Sequence, residues 1–228
     1  PFPHDFYEWL QKNLSFFGLW DTNWIKETEK EWLLTLLSCK EQQVFNQLKN
    51  PKRALEFLAG RVLLKASYHC PFNFMPKIEI LNHPSGKPFW QFLPTPNLDN
   101  PQIPFFSLAH KTPFIWCALD LKKPIGIDIE KISLKAQKVK SFFLSLKEET
   151  MLKKAPLPPQ KAYTFVWAAK ESLVKLLSLD FMHVARNALL IKAQEQELTF
   201  ELNQEFFKVK GFFFKGYILC IAKKEKKE

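Results

Sequence analysis

The side chains of this chain best suited to chemistry are three carboxylates and a few scattered cations. Asp128 and Glu130 stand two apart in the run Pro124-Ile125-Gly126-Ile127-Asp128-Ile129-Glu130. Residues two apart on a strand share a face. The two carboxylates therefore look one way, while Ile127 and Ile129 look the other way, as core residues do. Neighbouring carboxylates repel unless a cation or water relieves them. Hard oxygen donors of this kind suit Mg2+, which takes one or two carboxylates and completes its shell with water or phosphate oxygens. An ordinary polar face of an edge strand carries the same D-x-E pattern, so the pair does not decide its own role.

A second set is spaced for a helix. Thr164, Trp167, Glu171 and Lys175 come at intervals that put them on one helical stripe. The stripe from Phe165 through Ala169, Leu173 and Leu176 supplies the buried side. A Glu and a Lys one turn apart often form nothing more than a surface ion pair. A tryptophan on the same stripe argues against a face given wholly to solvent. Basic groups lie earlier in the chain. Gly86-Lys87-Pro88 reads as a tight turn presenting one ammonium, and Phe106 to Lys111 leads into a strand beginning at Phe114. His110 reads either as a phosphate contact or as a hydrogen-bonded core histidine. Arg53, Arg61 and Lys65 share one helix and read either as anion holders or as a solvated face.

These groups need elements to position them. Leu37-Ser38-Cys39-Lys40-Glu41 and Leu144-Ser145-Leu146-Lys147-Glu148 are both S-x-x-E capping boxes, in which Ser caps a helix and Glu reaches back to the cap amide. A break comes after each short helix, at Asn50-Pro51 and at Ala155-Pro156-Leu157-Pro158-Pro159. A second helix then starts with Arg53-Ala54-Leu55-Glu56-Phe57-Leu58 or Lys161-Ala162-Tyr163-Thr164-Phe165-Val166. The box, the break and the helix start recur in one order, so the chain reads as two related α+β halves, 1–122 and 123–228. The basic turn Lys122-Lys123-Pro124 marks their junction. Strands are expected at Lys77 to Leu81, Phe114 to Leu119, Pro124 to Glu130, Glu197 to Leu202 and Gly211 to Ala222. The proline-rich stretch from Phe89 to Phe105 reads as an irregular loop. Strands mixed with helix pairs indicate α+β rather than a regular βαβ alternation.

Composition narrows the partners. The 228 residues are long enough for one large or two small packed units. A content of 46% hydrophobic and 15% aromatic residues excludes a disordered chain. With only 6 glycines, a phosphate site built on a glycine-rich loop is disfavoured. The formal charge of +10 selects acidic partners without saying which. The lysine-rich end from Lys223 to Glu228 reads as a solvated tail. Cys39, Cys70, Cys117 and Cys220 are far apart with no C-x-x-C spacing, which argues for buried thiols rather than a zinc site. No stretch reads as a signal peptide or as a membrane span. A reducing cytoplasmic setting is expected, with no membrane partner.

Taken in order, Gly86-Lys87-Pro88, Phe106 to His110, Gly126-Ile127-Asp128-Ile129-Glu130 and Trp167-Ala168-Ala169-Lys170-Glu171 with Lys175 resemble the motif set of the Sfp-type (surfactin-synthetase-activating) 4′-phosphopantetheinyl transferases. Phe57-Leu58-Ala59-Gly60-Arg61 with Lys65 is similar to that family's first-half helix, and the resemblance covers roughly residues 37 to 178. It implies two similar α+β halves related by a pseudo-twofold axis, with coenzyme A lying between them. It implies transfer of the phosphopantetheine arm of coenzyme A to a serine of an apo acyl or peptidyl carrier protein, with release of 3′,5′-ADP. Mg2+ would be held by Asp128, Glu130 and Glu171. Glu171 would also serve as the base and Lys175 would contact the pyrophosphate. Lys87, Pro88 and His110 would hold coenzyme A, with Arg53 or Arg61 reaching its 3′-phosphate. Paired halves make a monomer sufficient, and a basic chain suits an acidic carrier.

Two positions depart from the pattern: Ala109 stands where the family often has Ser, and Ser178 where it often has Gly. A basic nucleic-acid-binding protein without enzymatic activity is the rival reading. It leaves Asp128, Glu130 and Glu171 unexplained, because carboxylates repel phosphate unless a metal intervenes, and no nucleic acid is expected as partner. A transferase that binds coenzyme A without transferring is a second rival, against which the intact carboxylates argue.

Overall fold

The computed structural model describes residues 10–11, 14–72, 78–83, 86–93 and 103–225. They fall into two compact units, one spanning Leu10–Lys123 and the other running from Pro124 onward. Each combines helices with antiparallel sheet, which is the α+β class expected.

The first unit contains β1 (Phe16–Asp21), α1 (Glu27–Thr35), α2 (Cys39–Gln47), α3 (Pro51–Phe72), β2 (Ile78–Asn82), β3 (Pro88–Phe92), β4 (Phe105–Lys111) and β5 (Phe114–Asp120). The apolar run of β5 has no alternation because every one of its residues is buried. It forms the middle of a three-stranded sheet, β1-β5-β4, while β2 and β3 make a separate hairpin. Helix α3 packs on β5 and β1. The core of the unit gathers Leu64, Tyr68, Ile78, Ile80, Cys117 and Leu119, with Trp90 and Phe106 against them.

The second unit contains β6 (Gly126–Lys131), α4 (Leu134–Lys138), α5 (Leu146–Leu152), α6 (Pro159–Leu177), α7 (Phe181–Asn187), β7 (Leu189–Ala193), β8 (Glu197–Leu202), β9 (Glu205–Phe214) and β10 (Tyr217–Lys224). Its sheet runs in the order β6-β10-β9-β8-β7. The first strand of this unit thus pairs with its last, and α6 lies across both. The apolar stripe of α6, from Phe165 and Val166 through Ala169 and Leu173, joins Phe200, Val209 and Ile218 in one core.

Both capping boxes close as the sequence requires. The Ser38 amide donates to Glu41 Oε2 at 2.8 Å and the Ser145 amide to Glu148 Oε2 at 2.8 Å. The reciprocal Glu41 and Glu148 amides donate to the serine hydroxyls, each at 3.3 Å. Asn50 caps α3 by accepting from the amides of Lys52 and Arg53, and Pro159 opens α6 where a missing N–H costs nothing.

The structure corrects four expectations. Gly211 to Ala222 is not one strand but the meeting of β9 and β10, turned at Lys215 (φ 46°) and Gly216 (φ 79°). Part of the proline-rich stretch is ordered as β3, paired with β2; residues 94–102 lie outside the described residues. The lysine-rich end is not all tail, since β10 continues to Lys224, which ion-pairs with Glu205. Cys117 and Cys220 are buried as expected, whereas Cys39 is exposed and the Cys70 side chain lies outside the described residues. Among the described residues, no helix is long and apolar enough to cross a membrane.

Candidate functional site

Close packing of α6 on β6 brings the candidate residues of the second unit together. A methyl group on Gly126 would stand 1.9 Å from the Ser172 carbonyl oxygen and 2.6 Å from the Leu176 nitrogen. Both are backbone atoms of α6, so only a residue without Cβ lets the helix lie this close to the strand. Two residues along β6, Asp128 is buried and faces that helix: Lys175 Nζ donates to Asp128 Oδ1 at 2.8 Å. Glu130, half-buried, is the next residue on the same face. Ile127 and Ile129 turn the other way and are fully buried.

The neighbouring strand bears on these carboxylates too. Asp128 is level with Cys220 of β10, and Glu130 with Ile218. Burial pushes the Cys220 thiol well above its ordinary pKa, the negative charges of Asp128 and Glu130 push it further, and Lys175 opposes them. The thiol is a buried, protonated neighbour of the carboxylates and not a nucleophile.

Glu171 is half-buried on α6, one turn before Lys175. Among the described residues, no three carboxylate, imidazole or thiol groups stand close enough to form a metal cluster. Lys175 is the cation on Asp128 in this arrangement. Asp128 and Glu130 are hard oxygen donors on one strand face, of the kind a divalent cation takes, and Glu171 is carried by the helix packed on that strand.

The rest of the helical stripe has other roles. The Thr164 hydroxyl, buried, donates to the Gln160 carbonyl at 2.8 Å. Trp167 packs edge-on against Phe143 and tilted against Phe181, as part of the core wall. Sequence reasoning passed over Lys170, which is completely buried. Its ammonium donates to the Phe143 carbonyl (2.7 Å), the Ala185 carbonyl (2.9 Å) and Glu148 Oε1 (3.1 Å). Burial lowers its pKa and the Glu148 charge opposes that. The signal was available: Lys170 falls on the apolar side of the helix, one turn after Val166 and one before Leu173.

Helix α6 ends at Ser178, whose φ of 59° and ψ of 35° are left-handed. This is where the motif pattern has Gly, and serine adopts the glycine conformation at a steric cost. Ser178→Gly is therefore expected to stabilise the chain by about 1 kcal/mol, measured as a higher urea midpoint with an unchanged slope.

The first unit holds the remaining candidates. His110 Nε2 lies 3.4 Å from Glu56 Oε2, and the Thr112 hydroxyl donates to Glu56 Oε1 at 2.5 Å. Lys87 comes after Gly86 (φ 84°) in the β2–β3 turn, where partial desolvation lowers its pKa. Pro88 opens β3. Arg53 is exposed on the first turn of α3. Arg61 is buried: its guanidinium donates to Asn82 Oδ1 at 2.8 Å and lies over the Phe57 ring. Desolvation brings its pKa down to about 10, with the Glu41 charge opposing. Lys65, read as a possible anion holder, has its ammonium on the Leu36 carbonyl (2.9 Å) and on Glu41 Oε2 (2.5 Å). Ala109 is fully buried.

Residues 124–222 match the family model described as the 4′-phosphopantetheinyl transferase superfamily. The chain is 24% identical over 164 residues to the 4′-phosphopantetheinyl transferase of Bacillus subtilis, an alignment covering 71% of this chain and 69% of that one. It is 31% identical over 121 residues to the 4′-phosphopantetheinyl transferase psf-1 of Bacillus pumilus, covering 52% of this chain and 48% of that one.

Proposed function

We propose that this chain, whose residues 124–222 match the model of the 4′-phosphopantetheinyl transferase superfamily, moves the 4′-phosphopantetheine arm of coenzyme A to a serine of an apo carrier protein and releases 3′,5′-ADP. The single observation that carries this reading is the placement of Asp128 and Glu130 on one face of β6, against the helix that bears Glu171 and Lys175.

In this reading Asp128, Glu130 and Glu171 hold Mg2+, whose bound charge would offset the negative charge that grows on the pyrophosphate. Lys175 has its side chain 30% exposed. In this reading it passes from Asp128 to a pyrophosphate oxygen, where a compact ammonium suits a phosphate. Glu171 takes the proton of the carrier serine as its oxygen attacks the phosphorus of the phosphopantetheine arm, and the bond to 3′,5′-ADP breaks. The reading also gives Lys87, Pro88, His110 and Arg53 a part in holding coenzyme A. Arg61, committed to Asn82 and Phe57, shapes the β2–β3 hairpin that carries Lys87. One chain, with its halves 1–122 and 123–228, would then suffice as a monomer.

The test is mass spectrometry of apo acyl and peptidyl carrier proteins after incubation with the chain, coenzyme A and Mg2+. The expected result is a carrier heavier by one phosphopantetheine, and an unmodified carrier when a chelator replaces Mg2+. Tight, salt-sensitive nucleic-acid binding without any carrier modification would favour the rival reading.

A further inference from the structure

The Lys170 ammonium gathers three segments at one point. The Phe143 carbonyl lies just before α5, Glu148 is the capping residue inside α5, and the Ala185 carbonyl belongs to α7. Glu148 extends the network, since its Oε1 also accepts the Leu190 amide of β7 at 2.9 Å and its Oε2 accepts the Ser145 amide. Every proton of the ammonium has an acceptor, so this buried charge is satisfied rather than stranded.

The first unit repeats two of these contacts at matching places, the carbonyl before the cap and the capping glutamate. Lys65 Nζ donates to the Leu36 carbonyl, two residues before the cap Ser38, as Lys170 donates to Phe143, two before Ser145. It also meets the capping glutamate Glu41, whose Oε1 accepts the Ile80 amide at 2.8 Å, as Glu148 accepts that of Leu190. The shared [KR]-A-x-x-F-[LV] helix starts do not align on this register. Matching Lys65 with Lys170 shifts one long helix against the other by about one turn relative to that echo. The repeated object is thus a lysine lock on the capping glutamate, which the helix starts reflect only approximately. The two locks differ at the residue after the lysine, which is Ala66 in the first unit and Glu171 in the second.

We infer that Lys170 is a positioning residue: its lock fixes the rotation and height of α6 so that Glu171 and Lys175 meet the carboxylates of β6. The helix is held from two sides. Gly126 of β6 touches its backbone at Ser172 and Leu176, and the lock holds another flank at Lys170. With one anchor gone, α6 can turn or slide on the other, and displacing a reacting group by an ångström has a large effect on rate. The inference rests on the transfer reaction proposed above.

The first-unit lock is the internal control, because it has the same chemistry without a reactive neighbour. Lys170→Met and Lys65→Met are compared for melting temperature, kcat, KM for coenzyme A and the Mg2+ concentration giving half-maximal transfer, below the melting point of both. Both variants are expected to melt lower than wild type. Lys170→Met is expected to lose kcat by roughly 30-fold and to need several-fold more Mg2+, with KM for coenzyme A little changed, while Lys65→Met stays within about twofold in kcat and in its Mg2+ requirement. Calorimetric binding of Mg2+ with coenzyme A should weaken for Lys170→Met only. If Lys170→Met does not fold, Lys170→Gln, which keeps two amide donors, is measured in its place and judged the same way. A folded Lys170 variant with wild-type kcat and Mg2+ requirement overturns the inference, as does an equal loss of kcat in Lys65→Met. Wild-type chain that modifies no carrier and binds no coenzyme A overturns the underlying reaction instead.

Discussion

Gly126→Ala is expected to reduce transfer by about 100-fold and to cost roughly 3 kcal/mol of stability. The new methyl would lie 1.9 Å from the Ser172 carbonyl oxygen, 2.6 Å from the Leu176 nitrogen and 2.9 Å from the Leu176 Cβ. None of these is the end of a flexible side chain, so relief requires α6 to withdraw from β6 as a body. Withdrawal opens the contact that puts Lys175 Nζ on Asp128 and carries Glu171 away with it. Packing and chemistry therefore fail together. Gly211→Ala is the matched control. There the methyl would meet the Phe165 ring at 2.5 Å, a side chain in the core of the same unit. That variant should lose comparable stability but keep most of its kcat once assayed below its melting point, because α6 can stay seated while the ring shifts. Melting curves and initial rates on both variants decide the matter. A Gly126→Ala chain with wild-type rate would show that the close approach of helix and strand is not needed for the reaction.

How much of this was legible in the sequence depends on the range of each interaction. The capping boxes at Ser38 and Ser145 were legible because both partners lie within one turn. The same face for Asp128 and Glu130 was legible from strand period alone. The β9–β10 turn was not, because Lys215-Gly216 lacks the Asn-Gly or Asp-Gly signature of a tight hairpin, and Lys215 takes a positive φ that lysine rarely adopts. Strand β1, an apolar and aromatic run, carries no alternation to separate it from a helix turn. Lys65 and Lys170 were misread or passed over for another reason. Lysine is almost always solvated unless paired, and the glutamate that pairs with each lies more than twenty residues away. The Glu56 contact with His110 is likewise formed only by tertiary packing of α3 against β4. Local rules thus located the carboxylates, while the cations that hold the scaffold and those suited to a ligand could be told apart only in three dimensions.

The carboxylates themselves yield the other large effect. Asp128→Ala is expected to lower transfer by about 1000-fold, because it removes one of the proposed Mg2+ donors. Its effect on stability should stay within about 1 kcal/mol, since the Lys175 side chain it leaves behind is 30% exposed and can take water instead. Lys175→Ala should show the reverse balance. Asp128 is only 8% exposed, so losing the ammonium leaves a desolvated carboxylate, at a cost of about 2 kcal/mol. Adding Mg2+ with coenzyme A should restore much of the lost melting temperature in Lys175→Ala, because a ligand that binds only the folded form stabilises it. The same addition should restore nothing in Asp128→Ala. Glu171→Gln preserves shape and helix propensity but neither donates an anionic oxygen nor accepts the serine proton, so it should melt like wild type and fail in turnover. The sign of the coupling is the discriminating measurement. An ordinary surface ion pair predicts small, equal losses for Asp128→Ala and Lys175→Ala, with no response to Mg2+. A metal-binding carboxylate held by an exchangeable lysine predicts opposite responses. Full transfer by Asp128→Ala, or an equal rise in melting temperature with Mg2+ and coenzyme A in both variants, would remove Asp128 from the reaction and reduce its bond to Lys175 to a packing contact.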